Sequence, residues 1–446
     1  MPAKQAPVPA VSKPGLPIFA FVAGLFFFLA IIKLSSPVVM NRIIDVPQSA
    51  SSAFNDLWPP HWEVWLFLPV GLAGLWALEI NSTKLHWVIF LPLIWFGWEL
   101  VSTTQTISLP LSKLTIAHFA VCLGLFYLGF FARRGMSNPW PIWAGMGLAL
   151  CWAMRTGLEQ HFGGLEATRR MLKESPQLFN VDPQMLTNPD YLKRIASNRI
   201  FGTFAGYPNG LAGGIILLLP LTLVFLWRLT LKVRVQIRIL FVLILGGCGL
   251  SCLYWSGSKA GWLVALILGL IALGHSLLPL RWRRWLIYGV LVVGLVGFAV
   301  KYAGFFQKER NSVGARFAYW RVALMVTKLH PVLGTGPGTF QIPYGQMKRP
   351  GDEPVKLTHN DYLEQASDSG VFGFISYCAM IFAILCYLYR YRIQKNPVDW
   401  LDFAIFIGVL GICLHSLTEY HLYDPALSLP MFYLFGWLLT KKVNDN

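Results

Sequence analysis

Charge is what this chain has least of: 13% of its 446 residues are Asp, Glu, Lys or Arg, against 55% hydrophobic. With a mean hydropathy of +0.53, that scarcity excludes an ordinary water-soluble domain and implies an integral membrane protein. Cysteine is also uninformative. Cys122, Cys151, Cys248, Cys252, Cys378, Cys386 and Cys413 all sit inside or at the edge of apolar runs, which excludes a disulfide framework in the loops and a CxxC metal pair. The glycine-rich stretch at 334–340 lacks the Lys-Ser or Lys-Thr that a Walker loop needs after its last glycine, so nucleotide binding is a poor reading there. No tight Asp-x-Asp pair supports a metal centre, although Asp352, Glu353, His359, Asp361, Glu364 and Asp368 supply ligand types.

What is present is a series of apolar runs, each near the roughly 20 residues that span a bilayer core. They fall at 16–34, 62–80, 86–103, 114–132, 140–157, 207–227, 236–255, 260–278, 284–300, 369–389, 401–416 and 425–440. Backbone groups in lipid must be satisfied internally, so the expected fold is all-α, a polytopic membrane protein of about twelve transmembrane helices. The first run follows Lys4 and Lys13 and reads as a retained span, not a cleaved leader. With both termini cytoplasmic, one side of the membrane receives Lys84, Arg133, Arg134, Arg228, Lys232, Arg234, Arg238, Arg281, Arg283, Arg284, Arg390, Arg392, Lys395, Lys441 and Lys442. The net charge of +16 therefore needs no nucleic acid, and membrane lipid headgroups are the expected partners of much of it.

The runs divide the chain into helices at 1–157, a loop at 158–206, helices at 207–300, a loop at 301–368 and helices at 369–446. Both long loops fall on the outer side, and long ordered loops tend to carry function. The first contains Asp182-Pro183 and Asn188-Pro189-Asp190 breaks and ends in a Gly/Pro/Asn cluster from Gly202 to Gly210. The second opens with a predicted helix over 312–329, with Val313, Phe317, Trp320, Leu324 and Thr327 on one face and Arg316 and Tyr319 toward another. Such a helix can rest on the membrane surface. His330-Pro331 stops it, a glycine turn follows, and another helix is expected to begin near Asp361.

Taken together, Arg316-x-x-x-Trp320, His330-Pro331-x-Leu333-Gly334-x-Gly336-x-Gly338-x-Phe340, His359-Asn360-x-Tyr362-Leu363-Glu364 and Gly370-x-x-Gly373 resemble the bacterial O-antigen ligase and polymerase superfamily. Gly202 to Gly210, Ser256-Gly257-Ser258-Lys259-Ala260-Gly261-Trp262 and His415-Ser416-Leu417-x-Glu419 extend the likeness along the chain. Lys259 departs from the arginine usual after the Ser-x-Ser element, keeping the charge but losing the bidentate fork. The resemblance implies a GT-C-like frame in the bacterial inner membrane. It also implies transfer of a glycan from an undecaprenyl diphosphate carrier to an acceptor hydroxyl, lipid A-core first among acceptors, at the periplasmic face and without a metal or other cofactor.

That reaction needs cations for the leaving diphosphate and a base for the incoming hydroxyl. His359 is the candidate base. Arg316, Arg321 and Lys259 are the candidate cations, and Asn360, Trp320, Tyr362 and Asn209 are candidate substrate contacts. Plainer readings stand beside these. Arg316 fits an interfacial snorkelling residue, Lys259 a topology anchor, Asn209 a helix cap, and Glu364 and Asp368 acids at a helix start. The cluster His415, Glu419, His421 and Asp424 reads as structural hydrogen bonding. A polysaccharide polymerase and a protein O-oligosaccharyltransferase share the chemistry. A lipid-linked sugar transporter predicts charges within spans and an internal repeat, and no convincing repeat is visible.

Overall fold

The computed structural model describes residues 15–40, 44–78, 86–136, 138–174, 192, 196–204, 207–303, 312–394 and 399–440. Lys4, Lys13, Lys84, Lys395, Lys441, Lys442 and the Asp182-Pro183 and Asn188-Pro189-Asp190 breaks lie outside them. Among the described residues the protein is all-helical, with no strand. The helices are α1 (Gly15–Lys33), α2 (Ala50–Asn55), α3 (Glu63–Ala77), α4 (Leu91–Ser102), α5 (Leu109–Gly135), α6 (Trp140–Glu159) and α7 (Leu165–Glu174). After the first long connection come α8 (Pro208–Leu229), α9 (Val235–Trp255), α10 (Lys259–Leu277) and α11 (Leu280–Ala303). The remainder are α12 (Ser312–Leu329), α13 (Gln341–Met347), α14 (Asp361–Leu388), α15 (Trp400–His415) and α16 (Pro425–Leu439).

Each of the twelve apolar runs contains a helix among the described residues. Among the described residues seven helical segments have both the length and the apolarity to cross a membrane: 15–33, 87–105, 109–135, 208–229, 235–255, 259–277 and 361–393. α15 and α16 are apolar but shorter, and α3 has 15 residues with Pro69 inside it. Helix starts follow local chemistry. Pro92, Pro110, Pro141, Pro208 and Pro425 occupy first turns, where a missing N–H costs nothing.

The centre of the bundle is α16, whose fifteen residues are all buried, packed chiefly against α5. Their approach is set by glycine: a Cβ at Gly436 would overlap the carbonyl of Phe126, and one at Gly129 that of Tyr433. Between membrane helices, where lipid is as apolar as leucine, such close backbone contact supplies much of the association energy. One topology mark has a second duty. Arg133, expected from the sequence on the positive side, is buried with Nη2 2.6 Å from Asp402 on α15 and so ties α5 to α15.

The predicted helix over 312–329 is α12. The expected span at 369–389 starts earlier, at Asp361, and breaks at Gly370, where φ is +70°. The reason is the Asn360 cap, whose side-chain oxygen accepts from the amides of Tyr362 and Leu363 at 3.0 and 3.1 Å and so nucleates a helix before the apolar run begins. The first loop is likewise shortened: α6 runs to Glu159, a π-turn at Gln160–Gly164 follows, and α7 continues to Glu174.

Candidate active site

The glycine turn between α12 and α14 is a close-packed wedge. Gly334, Gly336 and Gly338 all have positive φ, at 63°, 103° and 75°, which other L-residues adopt only at a cost. A Cβ at Gly334 would strike the backbone of Asp368, and one at Gly370 the carbonyl of Val332. Asp368 is fully buried and its Oδ2 accepts from the Gly338 amide at 2.6 Å and the Tyr423 hydroxyl at 2.9 Å. Glu364, also buried, accepts the Thr358 amide at 2.5 Å. These two acids are therefore internal staples of the turn, not solvated acids complementing a helix dipole.

The staples hold His359 immediately before the Asn360 cap, in a left-handed backbone conformation (φ 54°) unusual for a residue with a side chain. Its Nδ1 lies 3.0 Å from Oε2 of Glu419, a carboxylate with no exposure; the imidazole is 21% exposed. Glu419 stands in the loop between α15 and α16 and collects donors from three further positions. The Tyr207 hydroxyl donates to Oε2, Asn209 Nδ2 donates to Oε1 at 2.6 Å, and Arg316 from α12 pairs with Oε1. Arg199 adds an outer layer, with Nη2 donating to Asn209 Oδ1 at 2.9 Å and Nε to the Ser256 carbonyl at 2.7 Å.

Burial alone would push the Glu419 carboxyl up, but Arg316 and His359 outweigh it and hold the group below its ordinary range. An ionised Glu419 only accepts, so Nδ1 of His359 carries the hydrogen. In the neutral ring Nε2 then keeps its lone pair, and no hydrogen bond reaches Nε2 among the described residues. Tyr319 stacks on the imidazole at 5.8 Å and Tyr420 meets it edge-on at 4.7 Å, fixing its plane. A carboxylate-oriented imidazole with one open nitrogen can take a proton from a hydroxyl placed against it.

The sequence candidates separate by location. His359, Arg316 and Asn209 meet at Glu419. Asn209 does not cap α8, which opens after Tyr207; its amide bridges Glu419 and Arg199. Lys259 is the exposed first residue of α10, directly after the Ser258 cap. Asn360 has both ends of its amide occupied, by the α14 cap and by the Leu417 carbonyl at 3.0 Å. Tyr362 is tied to the Cys413 carbonyl at 2.9 Å. Trp320 donates to the Thr358 carbonyl at 3.2 Å, and Arg321 faces outward, 3.6 Å from Asp352.

Sequence reasoning placed Glu419 in a structural cluster and passed over Arg199, Tyr207 and Tyr420. The signal available was the position of Glu419 at the end of an apolar run. Its neighbours do fit the structural reading: His421 Nε2 is 2.8 Å from His415 Nδ1, and burial next to His415 pulls His421 well below its usual pKa.

Fold and site together define a polytopic helical membrane protein with a charged centre built where several helix ends converge. Residues 241–378 match the family model described as O-antigen ligase, which supports an O-antigen ligase-like family. No curated protein matches the chain. The matched segment carries Lys259, Arg316 and His359, whereas Arg199, Tyr207, Asn209 and Glu419 come from outside it.

Proposed function

We propose that this protein transfers a glycan from undecaprenyl diphosphate to an acceptor hydroxyl, with lipid A-core as the acceptor, at the periplasmic face of the inner membrane. The observation that carries the reading is the imidazole of His359, oriented by buried Glu419 and open at Nε2. In this reading the acceptor O–H gives its proton to Nε2 as its oxygen bonds the anomeric carbon. The bond from that carbon to the diphosphate breaks, and undecaprenyl diphosphate departs with both electrons. Arg199, Arg316 and Lys259 supply positive charge where the leaving group gathers negative charge. Glu419 stabilises the imidazolium that forms, as an orienting carboxylate does in other triads.

The test is transfer in membranes containing EDTA, from purified undecaprenyl diphosphate glycan to lipid A-core, by wild type, His359→Ala and Arg316→Ala. General-base catalysis contributes about 10²- to 10⁴-fold, so His359→Ala should lose that much rate while still binding the donor. Transfer at the wild-type rate by His359→Ala overturns the mechanism. Joining of repeat units on the carrier, without lipid A-core, assigns the same chemistry to a polymerase instead.

A further inference from the structure

One oxygen of Glu419 serves two donors. Oε2 lies 3.0 Å from His359 Nδ1 and also accepts the Tyr207 hydroxyl, while Oε1 takes Asn209 Nδ2 at 2.6 Å and pairs with Arg316. A carboxylate offers about four lone-pair positions, so its charge is divided among these donors and His359 receives a share of it. An acceptor oxygen that already holds one hydrogen bond is a weaker partner for a second, and an imidazolium gains correspondingly less from it.

Tyr207 is aimed at this oxygen by its packing. It is the residue before α8, its ring stacks on Tyr420 at 4.7 Å and 9°, and Tyr420 meets the imidazole edge-on at 4.7 Å. A Cβ at Gly210 would come within 2.9 Å of the Tyr207 ring, so the ring rests against bare backbone one turn along the helix. Burial first, and then Glu419, hold the phenol well above its ordinary pKa, so it keeps its hydrogen and donates. The charged and titratable groups facing the pair from elsewhere are Arg316 and Tyr319 on α12, His415 on α15, His421 ahead of α16 and Asp361 on α14; Arg199 reaches it through Asn209. The bonds from Arg316 and Asn209 fall on Oε1, whereas Tyr207 and His359 meet on Oε2.

From this shared oxygen we infer that Tyr207 is a positioning residue that acts through Glu419 on the proton affinity of His359: by drawing charge from Oε2 it keeps the imidazole neutral, and so able to accept a proton, at a lower pH than the carboxylate by itself would permit. Its bearing on turnover rests on the reading of the function given above; the tuning of the ring does not. With the hydroxyl removed, Oε2 concentrates its charge on the Nδ1 hydrogen, the imidazolium is stabilised, and the ring takes up its proton at higher pH. Activity then fades earlier as pH falls.

The experiment follows the ring apart from turnover. Full-length protein in nanodiscs is treated with diethyl pyrocarbonate, which attacks an unprotonated imidazole nitrogen, and modification of His359 is read by mass spectrometry across pH; glycan transfer is assayed over the same range. Three forms are compared: wild type, Tyr207→Phe, which keeps the stacked ring and removes the hydroxyl, and protein with difluorotyrosine introduced at 207, a stronger donor of the same shape. Tyr207→Phe should move the acid limb of both profiles up by about half a unit to one unit, and difluorotyrosine should move it down. The modification plateau at high pH should stay at the wild-type level in all three. A limb that stays in place in both substituted forms while the plateau falls overturns the inference and leaves Tyr207 as packing. Limbs that move the same way in both also overturn it, because a donor effect reverses sign between them. Modification curves that shift as expected in protein that transfers nothing defeat the functional reading alone; unshifted curves in protein that transfers defeat the inference alone.

Discussion

Among the described residues two histidine–glutamate pairs have nearly the same shape and different surroundings. In one, His118 Nδ1 lies 2.7 Å from Glu63 Oε2; in the other, His359 Nδ1 lies 3.0 Å from Glu419 Oε2. His118 has no exposure, and its Nε2 is closed by the Leu422 carbonyl at 2.8 Å and by the Ser428 hydroxyl at 3.1 Å. His359 is partly exposed and its Nε2 is open. A carboxylate beside an imidazole thus says little about chemistry until the second nitrogen is traced. Where it is occupied the pair is a clamp, and where it is open the ring has a nitrogen that can take a proton. The two are also connected, since His118 grips the loop that carries Glu419, three residues away at Leu422.

The largest contrast should come from the two acids. Glu419→Gln should abolish measurable transfer and lower stability by about 3–5 kcal/mol, because a buried carboxylate shared by Arg316 and His359 would be replaced by a neutral amide. Glu63→Gln should cost stability while each folded molecule still turns over. Thermal melting in detergent alongside transfer per folded molecule checks both, and full activity in Glu419→Gln would erase the distinction. Next in size, His118→Gln should destabilise by about 1–3 kcal/mol, the cost of stranding buried partners, with kcat close to wild type. Gly334→Ala should reduce transfer without touching any charged group, since a Cβ there meets the Asp368 backbone; circular dichroism showing retained helix would separate this from global unfolding.

The smallest effect concerns pH. The folded-state pKa of Glu419 is depressed from an ordinary 4.5, so the stability it contributes is complete above that value and is lost as pH falls through the lowered one. The melting difference between wild type and Glu419→Gln should therefore be flat from about pH 8 to 5, as far as this group is concerned. A gap that closes within that window would show that Glu419 is not held ionised.

Much of this architecture is legible in composition. Hydropathy alone marks the all-helical frame and its seven long apolar segments, and the α12 boundaries follow from the apolar pattern ahead of His330-Pro331. His359, Arg316 and Asn209 stand out as polar residues between apolar runs or at the entry of one. Glu419 does not announce its role, because four donors from segments 60 to over 200 residues away make it a hub, and no local pattern encodes their convergence. Asn360 and Tyr362 illustrate the reverse. Their neighbourhood in sequence matches that of a reactive residue, yet packing commits one to a helix cap and the other to a backbone carbonyl.

The left-handed backbone at His359 has a bearing on how substitutions at this position are read. An ordinary side chain in that conformation costs about 1–2 kcal/mol, and Asn escapes part of the cost because its short amide tolerates the region. Alanine at 359 therefore removes an imidazole and leaves the strain in place, whereas asparagine removes the imidazole and eases the backbone. Between these two replacements, a difference in protein yield reports on the fold and a shared loss of turnover reports on the proton.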